Sequence, residues 1–241
     1  MSKPNLIIKR SDRTRTGALP TSRLQRIKGS LLGHGFILLP SDTCYSVAAL
    51  AIDRRVQSNV NNLLSRSKEP ISLSFPNIVR VENFVYLNPI SASLLERFTP
   101  GPITVVCNAR AEVPIELTSQ IVGSSDRTIG VRISDSFIER DVASCIQYPI
   151  TTVAVRDPAD NSVVKNFEQA IEIVEKGMRN LENIIWGAAV EGEEFYANQS
   201  TVVHVTNDAE KLKLLREGDI PFKEIQLASS NMPFWSIEDW T

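Results

Sequence analysis

Apolar residues return at helical intervals at Leu24, Ile27, Leu31 and Leu32, then give way to the unbroken run Phe36, Ile37, Leu38 and Leu39. This pattern predicts a helix ending near Gly33 or Gly35, followed at once by a buried strand. Further on, Asp53 is placed to cap a helix carrying Val56, Val60, Leu63 and Leu64, and residues 71–75 and then 78–86 read as strand-like. Asn88-Pro89 starts a helix through Leu94, Leu95 and Phe98, and Thr99-Pro100-Gly101-Pro102 forces a turn before a strand at 103–107. Residues 128–133 read as strand, Asp135 as the cap of a helix with Ile138, Val142 and Ile146, and 150–155 as strand again. A helix over 167–176 closed by Gly177 and a late strand at 201–205 complete the pattern. Strands mixed with intervening helices predict an α/β class with a twisted, mixed sheet, whose strand order the pattern does not specify.

Composition sets outer limits. The 241 residues, 42% hydrophobic and 22% charged, suit one large domain. No apolar run approaches the roughly 20 residues that span a bilayer, and no signal-type stretch follows Met1, so a cytoplasmic protein with no membrane partner is expected. Cys44, Cys107 and Cys145 are far apart, and two histidines make no zinc set, so neither disulfides nor a metal cluster is expected. Cys44, with no histidine nearby in sequence, reads as a small packing residue.

The net charge of -2 hides an uneven distribution. Residues 1–28 hold Lys3, Lys9, Arg10, Arg13, Arg15, Arg23, Arg26 and Lys28 against the single acid Asp12. Such a cluster suits phosphate neutralisation, and equally a solubilising face; without interleaved aromatics it does not suit stacking on bases. We divide the chain into a basic arm at 1–18, one domain at 19–228 and a tail at 229–241, whose unperiodic aromatics suit docking on the domain or on a protein partner.

The strand at 36–39 runs into Pro40-Ser41-Asp42-Thr43-Cys44-Tyr45-Ser46. Proline ends the strand and small hydroxyls with a carboxylate follow it, at the carboxyl edge where α/β proteins hold ligands. Ser and Asp also serve as plain turn residues there.

Several separated segments resemble, in the same order, the YrdC/Sua5/YciO superfamily of threonylcarbamoyl-AMP synthases and their relatives. Pro40 to Ser46 resembles the family's Pro-Thr-Asp-Thr-x-Tyr-Gly, with Ser41 for the first threonine and Ser46 for glycine. Pro100-Gly101-Pro102-Ile103-Thr104 is similar to its Pro-Gly-Pro-Leu-Thr, and Thr128-Ile129-Gly130-Val131-Arg132 to its Thr-x-Gly-Val-Arg. Ser200-Thr201-Val202-Val203 is similar to its Ser-Thr-Val-Val, and Arg216-Glu217-Gly218 to its closing Arg-x-Gly. The likeness covers roughly residues 20–225, and Arg216-Glu217-Gly218-Asp219 with Pro221-Phe222 resembles the YciO branch. Arg66-Ser67-Lys68 stands for the Lys-x-Arg pair with fork and point charge exchanged. Ala154 and Arg156 stand where Ser-x-Asn is usual, and Arg156 reads either as a phosphate ligand or as an ion-pair partner of Asp157 or Asp160.

The resemblance implies a single domain whose helices and sheet surround a large concave cavity. It implies a nucleotidyltransferase that joins L-threonine, bicarbonate or CO2, and ATP into threonylcarbamoyl-adenylate and pyrophosphate, for modification of tRNA adenosine. Arg66, Lys68 and Arg132 would then be the catalytic cations; Ser41, Thr43, Thr128, Ser200 and Arg216 would bind substrate and nucleotide, and Tyr45 would shape the pocket. Mg2+ would be carried by the phosphates of ATP, which enters as substrate. The alternatives are a non-catalytic module binding a nucleotide, tRNA or double-stranded RNA, and a carbamoyl transferase like the related domains of hydrogenase-maturation and antibiotic-tailoring enzymes.

Overall fold

The apolar run at 36–39 becomes part of a strand with helices on both of its faces. The structure, a computed structural model, describes residues 3–66, 71–120, 126–179, 181, 184–206 and 211–230. In chain order its elements are β1 (Ile7–Ile8), α1 (Thr21–Leu32), β2 (Gly35–Pro40), β3 (Tyr45–Leu50), α2 (Arg54–Leu63), β4 (Leu73–Ser74), α3 (Ile78–Val81), α4 (Pro89–Phe98) and β5 (Ile103–Asn108). There follow β6 (Ser119–Gln120), β7 (Arg127–Arg132), α5 (Phe137–Ser144), β8 (Ile150–Ala154), α6 (Phe167–Met178), β9 (Ile185–Val190), β10 (Thr201–Val205), β11 (Leu212–Arg216) and α7 (Phe222–Ser230).

The strands form one mixed sheet in the order β1-β9-β2-β3-β8-β4-β7-β5-β10-β11, with β6 beside β7. The fold is therefore α/β, as expected. β2 pairs parallel with β9 and antiparallel with β3, in a register that sets Pro40 opposite Tyr45. Alternate residues of β2 serve opposite layers: Ile37 and Leu39 pack with Ile27 and Leu31 of α1 and with Ile138 and Val142 of α5. Phe36 and Leu38 pack with Val56 and Val60 of α2 and with Phe167 and Val174 of α6. Each of these side chains is buried, and each contributes roughly 1.5–3 kcal/mol of hydrophobic stabilisation. A third cluster joins β5, β7 and β10 to α4 and α7 through Leu94, Leu95, Val105, Val131, Val203 and Ile225.

Local chemistry accounts for where several elements start and stop. Asp53 caps α2 as predicted, its carboxylate accepting the Val56 N–H. Residues 78–86 are not a strand. Asn77 accepts the Arg80 N–H and starts the short α3, because a good cap outweighs the β-preference of Ile78, Val79 and Val81. The strand expected at 71–75 is cut to β4. Ser136, not Asp135, caps α5, its Oγ accepting the Glu139 N–H, while Asp135 accepts from the Tyr196 hydroxyl at 2.8 Å. Gly177 does not close α6 but lies inside it, where a Cβ would come within 2.2 Å of the Leu63 carbonyl oxygen of α2. Its role is close helix approach. The turn at 99–102 is present, with a cis Thr99–Pro100 bond.

The described part of the basic arm lies along the β9 edge. Ile7 and Ile8 pair with Ala189 and Val190, Lys9 meets Glu168 at 2.7 Å, and Arg13 meets Glu193 at 2.6 Å. Of the tail, residues 231–241 lie outside the described residues. No helix among the described residues is long and apolar enough to cross a membrane.

Candidate functional site

Between β2 and β3 the chain turns through residues 41–44, and one hydroxyl organises that turn. Ser41 Oγ accepts the N–H groups of Thr43 and Cys44, each at 3.1 Å, and donates to the Cys44 carbonyl at 2.9 Å. Satisfying the turn's own backbone leaves Thr43 Oγ1 beside Ser41 Oγ, 3.1 Å away, on the cavity side. Asp42 points the other way, into the protein. Its Oδ1 accepts from Arg132 Nη2 and its Oδ2 from the Asp135 N–H at 3.3 Å, while its own N–H donates to Ser134 Oγ at 3.2 Å.

Arg132 ends β7 and is only 5% exposed, yet it reaches the cavity. Burial works against its charge, but Asp42 and Glu139 outweigh burial and hold the guanidinium above the ordinary arginine range. Glu139, on α5, is fully buried beside this pair. Burial pushes its carboxyl up, Arg132 opposes that, and Asp42 adds to it. Burial likewise raises the Cys44 thiol, which removes it as a ready nucleophile.

The remaining walls come from the other half of the sheet. Arg216, at the end of β11, donates through Nε and Nη2 to the Ser200 carbonyl at 3.2 and 2.8 Å, and through Nη2 to Ser200 Oγ at 2.8 Å. The chain at Gly218 presses so close to 199–201 that a Cβ would sit 2.4 Å from the Gln199 carbonyl oxygen. Only glycine fits there. Arg156, just beyond β8, donates to the Asn161 carbonyl at 2.7 Å and reaches Gln199 Oε1 at 3.5 Å. Arg66 follows α2 and completes a cavity of about 550 Å³.

Ser41, Thr43, Arg66, Arg132, Ser200 and Arg216 thus all line one cavity, although they come from distant parts of the chain. Tyr45 does not. Its ring packs behind the turn against Phe167 and Phe195, and its hydroxyl accepts the Gly192 N–H at 2.7 Å. Thr128 also stands off the lining, its hydroxyl donating to the Ser119 carbonyl at 3.1 Å at the far end of β7 from Arg132. In both cases a buried polar group took a structural partner instead of a ligand. Lys68 lies outside the described residues.

Arg156 lines the cavity and pairs with neither Asp157 nor Asp160. Ser46, which stands for the motif's glycine, also lines it, as do Thr152, Asn198 and Gln199, which were not named as site residues from the sequence. Gln199 was within reach of sequence reasoning, because it directly precedes the Ser200-Thr201 motif. No Asp or Glu occurs among the described lining residues, and the described residues hold no cluster of three or more His, Cys, Asp or Glu able to bind a metal. Chemically the site is a polar, cationic cavity with hydroxyls and amides at hand. It suits a ligand with several negative charges.

The chain is similar to several known proteins. A family model, Sua5/YciO/YrdC, described as "Telomere recombination", matches residues 30–218. A putative threonylcarbamoyl-AMP synthase of Methanocaldococcus jannaschii is 24% identical over 213 residues, 84% of this chain and 88% of that protein. Escherichia coli YciO superposes with a TM-score of 0.71 at 18% identity, covering 93% of this chain and all of that one. Pyrococcus abyssi Sua5 complexed with L-threonine superposes with a TM-score of 0.70 at 19% identity, covering 92% of this chain and 60% of that one.

Proposed function

The chain belongs to the Sua5/YciO/YrdC family, and on that premise we propose that it is a threonylcarbamoyl-AMP synthase, a nucleotidyltransferase acting on L-threonine, bicarbonate or CO2, and ATP. The observation that carries this reading is the cavity itself: Arg66, Arg132, Arg156 and Arg216 converge on it with no carboxylate among its described lining residues.

The chemistry asks for little else. The threonine amine captures CO2 as a carbamate, losing a proton. A carbamate oxygen then attacks the α-phosphorus of ATP, a new P–O bond forms, and the bond to the β-phosphate breaks to release pyrophosphate. Two anions must be brought together against their repulsion, so fixed cations in a cavity supply most of the rate. Arg132 is the best-fixed of these, because Asp42 holds it before any ligand arrives. Arg66 and, by its place in the motif, Lys68 complete the catalytic set. Ser41, Thr43, Ser200 and Arg216 orient the substrates. Mg2+ arrives with the triphosphate: the lining offers hydroxyl and amide oxygens but no carboxylate, which fits an ion held mainly by phosphates. The threonine assignment rests on the names of the relatives and on the threonine complex of Pyrococcus abyssi Sua5, and the product would serve tRNA modification.

Purified protein incubated with labelled threonine, bicarbonate, Mg2+ and ATP tests this. Threonine-dependent pyrophosphate and a threonine-containing adenylate are expected; neither forming, beside an active control synthase, refutes it. A second reading, a nucleotide- or RNA-binding module without catalysis, draws on Ala154 and Arg156, which replace the usual Ser and Asn. It expects nucleotide or RNA binding with no product. Pairing of Lys9 and Arg13 with Glu168 and Glu193 leaves less of the arm's charge for RNA.

A further inference from the structure

Arg156 is a cation lining the cavity with no counter-ion among the described residues. Among the described residues no carboxylate lies within ion-pair distance of it, and its two hydrogen bonds go to neutral acceptors, the Asn161 carbonyl and the Gln199 amide oxygen. The obvious acidic neighbours are committed elsewhere. Asp157 Oδ1 accepts the Ala159 N–H at 2.8 Å and Oδ2 accepts from Gln169 Nε2 at 2.7 Å, while Asp160 Oδ1 accepts the Ser162 N–H at 2.9 Å.

These bonds fold the turn after β8. The Asp157 N–H donates to the Ser162 carbonyl and the Asn161 N–H to the Asp157 carbonyl, both at 2.8 Å, and Asn161 adopts a φ of 61°. A turn fixed in this way holds the Asn161 carbonyl where it accepts from Arg156 Nη1 at 2.7 Å, and so aims the guanidinium inward. Within the cavity lining Arg156 reaches Gln199, and Arg216 grips the next residue, Ser200. The two guanidiniums therefore meet one wall at consecutive residues. The 3.5 Å contact to Gln199 is at the limit of a hydrogen bond and is readily exchanged for a phosphate oxygen.

Arg132 contrasts with this. Asp42 pairs with it and partly offsets its charge, whereas Arg156 meets only neutral acceptors and offers its charge to a ligand. We infer that Arg156 is a phosphate-binding residue that, with Arg216 across the 199–200 wall, holds the pyrophosphate end of a nucleoside triphosphate. This rests on reading the cavity as a nucleotide site, and it divides that site into a phosphate end at 156/199/216 and an amino-acid end at 41–43/132.

Equilibrium titration with inorganic pyrophosphate, ATP and AMP, on wild type, Arg156→Ala and Arg156→Lys, tests it. Arg156→Ala should weaken pyrophosphate and ATP by at least about tenfold. AMP should change by less than about twofold, and Arg156→Lys should recover part of the loss. The slope of log affinity for pyrophosphate against log salt concentration should become shallower in Arg156→Ala. Pyrophosphate binding that is absent in wild type, or equally tight in Arg156→Ala, overturns the inference. That outcome is separate from failure of the proposed activity, which shows as pyrophosphate bound normally but never produced from ATP in the presence of threonine.

Discussion

Asp42 and Arg132, ninety residues apart in the chain, form a buried ion pair, Arg132 lining the cavity and Asp42 behind it. The pair ties the β2–β3 turn, which carries the Ser41 and Thr43 hydroxyls, to the end of β7, which carries the guanidinium. Breaking it from one side strands a charge. Asp42→Asn should destabilise the protein by about 3–5 kcal/mol, the usual cost of a buried charge that loses its partner. Adding Arg132→Met should recover much of that stability without restoring ligand binding. Urea unfolding of the single and double variants measures both effects.

Glu139 gives the stability a definite pH dependence. Burial, opposed by Arg132 and reinforced by Asp42, raises its carboxyl above the ordinary glutamate value, so the folded state holds that proton more tightly than the unfolded chain does. Its contribution is therefore complete below the unfolded pKa and is lost as pH rises through the folded one. Glu139→Gln should remove that decline. The stability of the variant relative to wild type should increase from acid toward neutral pH, as read by unfolding curves across the range.

Tyr45 is expected to act on stability and not on ligands. Tyr45→Phe removes the hydroxyl oxygen that accepts the Gly192 N–H in this buried place, at a cost of about 1–3 kcal/mol. Because the ring lies behind the turn, nucleotide affinity should match wild type. Thermal unfolding beside a nucleotide titration separates the two.

Gly177 tests helix packing. With a Cβ only 2.2 Å from the Leu63 carbonyl oxygen, Gly177→Ala must push α6 away from α2, costing about 1–3 kcal/mol of overpacking strain. A lowered melting temperature is the expected result. An unchanged one would mean that the two helices do not meet as described.

The parts of the fold that were legible in the sequence carry their signal locally. The run at 36–39 stopped by Pro40, the Asp53 cap and the Asn88-Pro89 start each specify an element from a few adjacent residues. β3 and β9 were missed for a physical reason. Val47, Ala48 and Ala49, like Ala188, Ala189 and Val190, are buried on both faces of the sheet, which erases alternation, and the alanines among them favour helix. β11, at the sheet edge, and α7 were missed as well. At the site the arginines and hydroxyls were legible as members of motifs. Their partners were not, since Asp42 meets Arg132 and Arg156 meets Gln199 only through folding, across 90 and 43 residues.

The most direct test of the account is threonine-dependent adenylate formation by wild type and by Arg132→Gln, with folding of the variant checked by circular dichroism. Wild type should release pyrophosphate from ATP only when threonine and bicarbonate are present, and the folded variant should lose about 10²–10³-fold of that rate, the usual effect of removing one preorganised charge-stabilising group. Product that forms without threonine, or a variant as fast as wild type, would contradict it.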